Sequence, residues 1–427
     1  MTASKSEAFL KTVGDRTFLK LWTWANTHYK QGKEAADFVI PFGDDIVLIS
    51  DKACHYNPEE HGALAWSRWL RRVKEKSLKQ LGGGMRTIRE RPGNVRMDPK
   101  LKEGTPWPLN ADRTARIHLV GIARPALDPA IVPNDWKSFT YVGHEIDKPF
   151  TIGPIREGDH VVHLFDGPTI DLLLEYLDTA PDFIAYLKGR EAVLRSTNDY
   201  AFNESDLLAA ALIGWESNPK LLPLVPSLES VKPGLWNQYK NSERAAQTRE
   251  LDRPSRLIDE YLNGQYEELR EGRFIDSDPT IAEHEFAMRL LASEGRYPRR
   301  MIAEEIFDLL KEENQKIFWA NTMPSPTTPD LRYVCMTFPP RPQDWTQEQQ
   351  DDYCRDQLIQ HMLVARFAFK QELILGICLG NPATDDGSVY THAGRFPATR
   401  ELVESAALLQ KAGIFGNLQC INRLHFR

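Results

Sequence analysis

The chain has 427 residues, 41% of them hydrophobic and 26% charged. That is a globular rather than a disordered composition, and the length suits two or three domains at about 100–200 residues each. There are 53 Lys and Arg against 60 Asp and Glu, a net charge of −7. This balance argues against a chain that grips nucleic acid along its whole length. No apolar run reaches the roughly 18 residues needed to span a bilayer. The opening MTASKSEAFLKT lacks the basic-then-apolar order of a signal peptide. The cytoplasm is therefore the expected location, with no membrane partner. The cysteines, Cys54, Cys335, Cys354, Cys378 and Cys420, are odd in number and include no CxxC. They are expected to pack as small apolar residues rather than as a disulfide framework or zinc knuckle.

In chain order, residues 5–12 and 16–29 read as helices, with Phe9, Leu10, Phe18, Leu21, Trp22 and Trp24 at helix-like spacing. Asp37–Phe42 and Ile46–Lys52 are rich in Val, Ile and Phe, and Gly43-Asp44-Asp45 between them is a turn signal. The segment is expected to be a β-hairpin. Asp44 and Asp45 are expected to serve the turn. Residues 61–80 form a basic amphipathic helix, which Gly82-Gly83-Gly84 is expected to end or kink. The Pro/Gly-rich stretch 92–114 reads as a linker, giving an N-terminal domain over 1–91. Residues 115–427 form a larger mixed region, divisible at about 325. Strands are expected in ARIHLVGIA, SFTYVGHEI and DHVVHLF, then helices near 169–177 and 182–195 and a mostly helical 204–320. Residues 331–380 read as strand, long helix, strand, and a helix closes the chain at 398–411.

The informative segment is 34–52. Side chains in a strand alternate faces, so Ser50 and Lys52 share one face and Asp51 takes the other. Strands in a hairpin lie about 4.8 Å apart. The start of the first strand and the end of the second are neighbours, which puts Asp37 within reach of Ser50 and Lys52. A carboxylate beside a lysine at such a junction suits metal-assisted phosphodiester hydrolysis. The carboxylate is a hard oxygen ligand for Mg²⁺, the metal acidifies a water, and the lysine assists that water or the developing charge.

This arrangement resembles the restriction-endonuclease-like PD-(D/E)xK nucleases. In that family an Asp at the start of one strand is followed by Asp/Glu-x-Lys at the end of the next. Asp37 matches the first element and Ser50-Asp51-Lys52 occupies the second. The resemblance implies a mixed α/β fold, with a nuclease-like core over about residues 5–91 and a helix-rich remainder. It implies Mg²⁺ or Mn²⁺ as cofactor and DNA or RNA as substrate. It points to Glu7 on the first helix and to Gln80 on the helix after the lysine. Ser50 stands where the family has a carboxylate. The following Glu59 and Glu60 are the replacements considered, beside Asp51 and Glu34, the last set one helical turn before Asp37. Without a replacement the domain binds nucleic acid and does not cut it. The FGDDIVLISDK hairpin, with GKEAAD before it, also looks like a group of bacterial proteins without an assigned role.

Residues 61–91 carry nine basic and two acidic side chains. Arg68, Arg71, Arg72, Lys76 and Lys79 are the candidate phosphate contacts. Trp66 and Trp69, three apart on one helix, are expected in the core rather than stacked on bases. Residues 1–91 are net +5 and the remainder −12. Nucleic acid is therefore expected against the N-terminal unit, with a protein partner or a second copy of the chain against the acidic region. His160 and His163 are expected on opposite faces of a strand.

Overall fold

A computed structural model describes residues 12, 14–57, 59–60, 62–109, 115–126, 137–146, 148–196, 199–217, 228–271, 281–311, 318–380 and 389–415. The chain divides into two compact units, Met1–Glu285 and Phe286–Arg427. Both mix helices and strands, so the fold class is mixed α/β.

The first unit is organised by a six-stranded sheet. The short helix α1 (Leu19–Trp22) leads into β1 (Trp24–Lys30), β2 (Lys33–Phe42) and β3 (Asp45–His55), which form an antiparallel meander. The long helix α2 (Gly62–Glu90) follows. The chain then returns as β4 (Arg116–Ala126), which lies parallel to β3 from Asp45↔Arg116 to His55↔Ala126. Further on come β5 (Thr140–Val142), β6 (Thr151–Ile152), β7 (Arg156–Glu157) and β8 (His160–Asp166). The order across the sheet is β1-β2-β3-β4-β8-β7, with β8 parallel to β4. Its central strands are continuous apolar runs because both faces are covered. Helix α2 lies on the face of Ser50 and Lys52. The other face is covered by α3 (Gly167–Tyr176), which Asp166 caps by accepting from the Thr169 N–H, and by α4 (Ala180–Ser196). Strand β9 (Ala201–Asn203) joins β5 and β6 in a small second sheet and runs into α5 (Glu204–Ser217).

The second unit holds a four-stranded sheet of β10 (Trp319–Pro324), β11 (Leu331–Phe338), β12 (Leu373–Gly380) and β13 (Val389–Arg395). The pair β11 and β12 is parallel, joined by the crossover helix α6 (Gln347–Phe369). A capping box between Thr346 and Gln349 starts α6, and Lys370 in the left-handed conformation ends it. Helix α7 (Arg400–Lys411) follows β13.

Four expectations need correction. Residues 24–30 are a strand, not the end of a helix. Its buried residues Trp24, Thr27 and His28 are spaced like one helix face. The spacing arises because the register shifts around Thr27 and His28, next to Asn26 at φ 52°. Gly82-Gly83-Gly84 does not break α2, which continues to Glu90. The hairpin strands are longer than read, so Asp37 lies inside β2 rather than at its start, and Asp45 belongs to β3. Residues 92–114 do not separate domains. The strand after them pairs with β3, so 1–91 does not close a sheet by itself, and the division falls at 285/286 rather than near 91, 115 or 325.

Candidate active site

The site lies where two strands part. β2 and β3 pair from Phe42↔Asp45 to Phe38↔Ile49. Beyond that point β2 stays with β1 through Thr27↔Ala36, while β3 stays with β4. Asp37 stands in the fork. The backbone N–H of Asp51 donates to its Oδ2 at 2.5 Å, so a side-chain oxygen takes over where a ladder bond would come next. Lys52 Nζ donates to the same Oδ2 at 3.0 Å, and Gln80 Nε2 from α2 donates to Oδ1 at 3.0 Å. Ser50 is fully buried and donates to Gln80 Oε1 at 2.6 Å, which orients the amide so that its NH₂ faces Asp37. Both side chains of the ion pair are accessible, Asp37 at 13% and Lys52 at 21%. Asp37, Ser50, Lys52 and Gln80 therefore converge. Asp51 contributes its backbone only. As strand alternation requires, its carboxylate is on the other face, where it accepts from Arg124 Nε at 3.3 Å. Arg124 also lies 3.6 Å from Asp171, whose carboxyl burial pushes up against the pull of that arginine.

A second carboxylate reaches the fork through a bulge. Thr27 pairs with Ala36 and His28 with Glu34, so Ala35 is an extra residue in β2. Positions 34 and 37 would face opposite ways in a regular strand. The bulge turns Glu34 toward Asp37's side, and Gln80 Nε2 lies 3.4 Å from Glu34 Oε2. The Ala35 carbonyl rests against α2 at Gly84, where any Cβ would collide with it. This is the reason for a glycine inside the helix.

The other proposed metal ligands do not assemble. Glu60 forms an ion pair with Arg68, and the Glu59 N–H donates to Asn57 Oδ1 at 3.2 Å. No described contact joins either glutamate to Asp37, and Glu7 lies outside the described residues. Among the described residues no group of three or more His, Cys, Asp or Glu is placed to hold a metal ion. What the fork offers is Asp37 and Glu34 on one amide. Mg²⁺ binds through one or two carboxylates, keeps several waters and takes further oxygens from phosphate, and this donor set fits that habit.

The basic residues of α2 fall on two flanks. Arg68, Arg72 and Lys76 recur every four residues in a row that ends at Gln80, with Lys79 beside it. All four are exposed. Arg72 reaches the His55 carbonyl at 3.4 Å, which holds the row along the outgoing end of β3. Arg71 is on the opposite flank with Lys74 and lines a separate cleft. Trp66 and Trp69 are buried, 5.4 Å apart, and pack on Phe139.

Two buried clusters escaped the sequence reading. Asp45 is 7% exposed and accepts from Arg116 Nε at 2.9 Å and Lys188 Nζ at 2.8 Å, with His118 Nε2 at 2.9 Å. Burial raises its pKa, but hydrogen bonds from His118, Arg116 and Lys188 outweigh that and hold the carboxyl well below the usual range. The only hint was its place in the alternation Asp45, Val47, Ile49. Farther along the same face, buried Arg190 binds Glu204 at 2.9 and 3.0 Å and lies 3.1 Å from His163 Nδ1. Its guanidinium covers the Tyr141 ring at 4.6 Å. His163 is fully buried, and His160, the first residue of β8, is half-buried.

No family model, curated protein or solved structure matches this chain. No helix among the described residues is long and apolar enough to cross a membrane.

Proposed function

We propose that the first unit is a metal-dependent nuclease domain of the PD-(D/E)xK kind, cutting phosphodiester bonds in DNA or RNA. The observation that carries this reading is the meeting of Asp37, Lys52 and Gln80, from two strands and a helix, at a solvent-accessible fork. Asp37 and Glu34 would hold Mg²⁺ or Mn²⁺. Such an ion, when bound, supplies an acidified water and neutralises charge on the scissile phosphate. Lys52 orients the attacking water or stabilises charge as it develops. Gln80, fixed by Ser50, sets the carboxylates against each other. The Arg68–Arg72–Lys76 row advances by about 6 Å per step along the helix and leads a phosphate backbone to the fork. The region after residue 91, net −12, is read as a recognition or regulatory part that meets protein, including a second copy of the chain.

Purified full-length protein should degrade DNA or RNA with Mg²⁺ or Mn²⁺ and stop when the ion is chelated. Lys52→Ala should lower the rate at least about a hundredfold, the scale of losing a charge-stabilising donor. Undiminished cutting by Lys52→Ala removes Lys52 from the chemistry.

One observation favours a second reading, a nuclease-like domain that binds and does not cut. Asp37 already accepts from Asp51, Lys52 and Gln80, and the Ser50 hydroxyl is committed to Gln80. On that reading, binding is salt-sensitive, survives Lys52→Ala and needs Arg72 and Lys76, while no ion produces cleavage.

A further inference from the structure

The flank of α2 that faces away from the fork lines a cleft of about 450 Å³, within the range of small-molecule sites. Ser67, Arg71 and Lys74 enter it from one helix face at i, i+4 and i+7. Its far wall is Ile146 and the segment Thr151–Gly153. We propose that this cleft is a binding site for a 5′-mononucleotide, with the phosphate on Arg71 and Lys74 and the base against the apolar wall.

Four features support the assignment. The first is charge. Lys74 is 3.6 Å from Glu145, whose side chain is 82% exposed, so the pair is weak and easily opened. Arg71 makes no ion pair among the described residues. The cleft therefore holds a surplus cation whose planar fork suits phosphate. The second is polarity. Ile146 is 41% exposed although it is a large apolar residue, and Leu70 also faces the cleft, so a flat apolar group has surface to cover. The third is backbone strain at the wall. Phe150, directly before Thr151, has φ 59°, a costly conformation for an aromatic residue, held by its ring packing on Trp66 at 4.9 Å. The fourth is rigidity. A Cβ at Gly153 would lie 2.9 Å from the His144 carbonyl, so the two segments of the wall touch through backbone and the cleft is preformed.

This inference does not rest on the nuclease reading, and its test measures binding, not cleavage. Full-length protein is titrated by calorimetry with the four 5′-mononucleotides, without divalent ions, and with inorganic phosphate and adenosine as separate arms. At least one mononucleotide should bind saturably at one site, tighter than both phosphate and adenosine. Arg71→Ala with Lys74→Ala should weaken that binding at least tenfold. Arg72→Ala with Lys76→Ala, on the opposite flank, should leave it within twofold, as should Lys52→Ala. If none of the four binds below about 1 mM, a threshold of about −4 kcal/mol, the proposal is wrong. The reverse mutational pattern, loss in Lys52→Ala and persistence in the Arg71/Lys74 variant, places the nucleotide at the fork and also overturns it. If phosphate alone binds as tightly as every mononucleotide, the cleft is an anion site and the base-binding claim fails. Circular dichroism of each variant confirms that it is folded.

Discussion

Gly84 of α2 sits against the carbonyl oxygen of Ala35, the extra residue that bulges from β2. The contact is backbone to backbone, so no side-chain rotation relieves it. Gly84→Ala should destabilise the first unit by about 1–3 kcal/mol, the usual cost of forcing extra volume into a packed site. One residue earlier, a Cβ at Gly83 would meet only the Tyr29 hydroxyl at 3.7 Å, an ordinary contact. Gly83→Ala should therefore stabilise by up to about 1 kcal/mol through helix propensity. Urea melts of the two variants should move in opposite directions.

Ser50 and Gln80 act as one unit at the fork. Ser50→Ala leaves the Gln80 carbonyl without its donor, and Gln80→Leu leaves the Ser50 hydroxyl buried without its acceptor. Each should cost about 1–3 kcal/mol, and the double variant less than the sum. A double-mutant cycle by chemical denaturation measures the coupling. Additive costs would show that the 2.6 Å contact carries no energy.

Asp45 makes stability depend on acid. Its folded pKa is depressed below the unfolded value of about 3.9, so its contribution is complete above that value and is lost as pH falls through the lower, folded one. Asp45→Asn should be less stable than wild type at pH 7, and the gap should narrow progressively below about pH 4. His163 works in a higher range. Burial, Arg190 and His118 hold it well below its ordinary value, so the unfolded chain takes up a proton that the folded one refuses. Stability is full above about pH 6.5 and declines below it. Replacing His163 by Gln should flatten the profile between about pH 5 and 6.5. Unfolding free energies at several pH values test both.

Arg190 and Glu204 are 1% and 2% exposed and bind each other. Removing one partner strands the other charge in the core. Arg190→Met alone should cost about 3–5 kcal/mol, and adding Glu204→Leu should recover part of it. A second substitution that deepens the loss would show that Tyr186, whose hydroxyl donates to Glu204 Oε1 at 2.6 Å, and His163 dominate the cluster, not the ion pair.

If the row on α2 follows a phosphate backbone, neutralising it should change salt dependence more than sequence preference. Arg72→Ala should lower the slope of log affinity against log salt by about 0.7–0.9. Arg71→Ala, on the other flank, should leave the slope unchanged. Binding isotherms between about 50 and 200 mM salt separate the two.

Much of the site is legible in the sequence because a hairpin couples distant residues by a simple rule. Alternation along Ile46–Lys52 places Ser50 and Lys52 on one face and Asp51 on the other, and the contacts of all three agree. Gln80 is reachable because the next helix covers that face. The rest depends on departures from ideal periods. A bulged strand spaces Trp24, Thr27 and His28 like a helix. Another bulged residue, Ala35, brings Glu34 round by a route that no regular strand or helix provides. The glycine run in α2 reads as a break because the reason for Gly84, room for the Ala35 carbonyl, is tertiary. Asp45 reads as a turn residue because its three basic partners, on β4 and α4, are 71 to 143 positions away. The division at 285/286 is hidden because the Pro/Gly-rich stretch 92–114 leads from α2 into β4, a strand of the same sheet as β3.

The His28 and Arg96 amides and carbonyls exchange two hydrogen bonds, each 2.8 Å. They stand at the outer margin of β1, and at the opposite margin of that sheet β7 is only two residues long. An exposed row of backbone donors and acceptors is what invites a foreign strand to dock. In the first unit Arg96 bridges one margin at His28, and β7 at the other margin is too short to act as a template. In the second unit β10 and β13, six and seven residues long, each pair on one side only among the described residues. Strand addition, whether by a second copy or by another polypeptide, is therefore expected at β10 or β13.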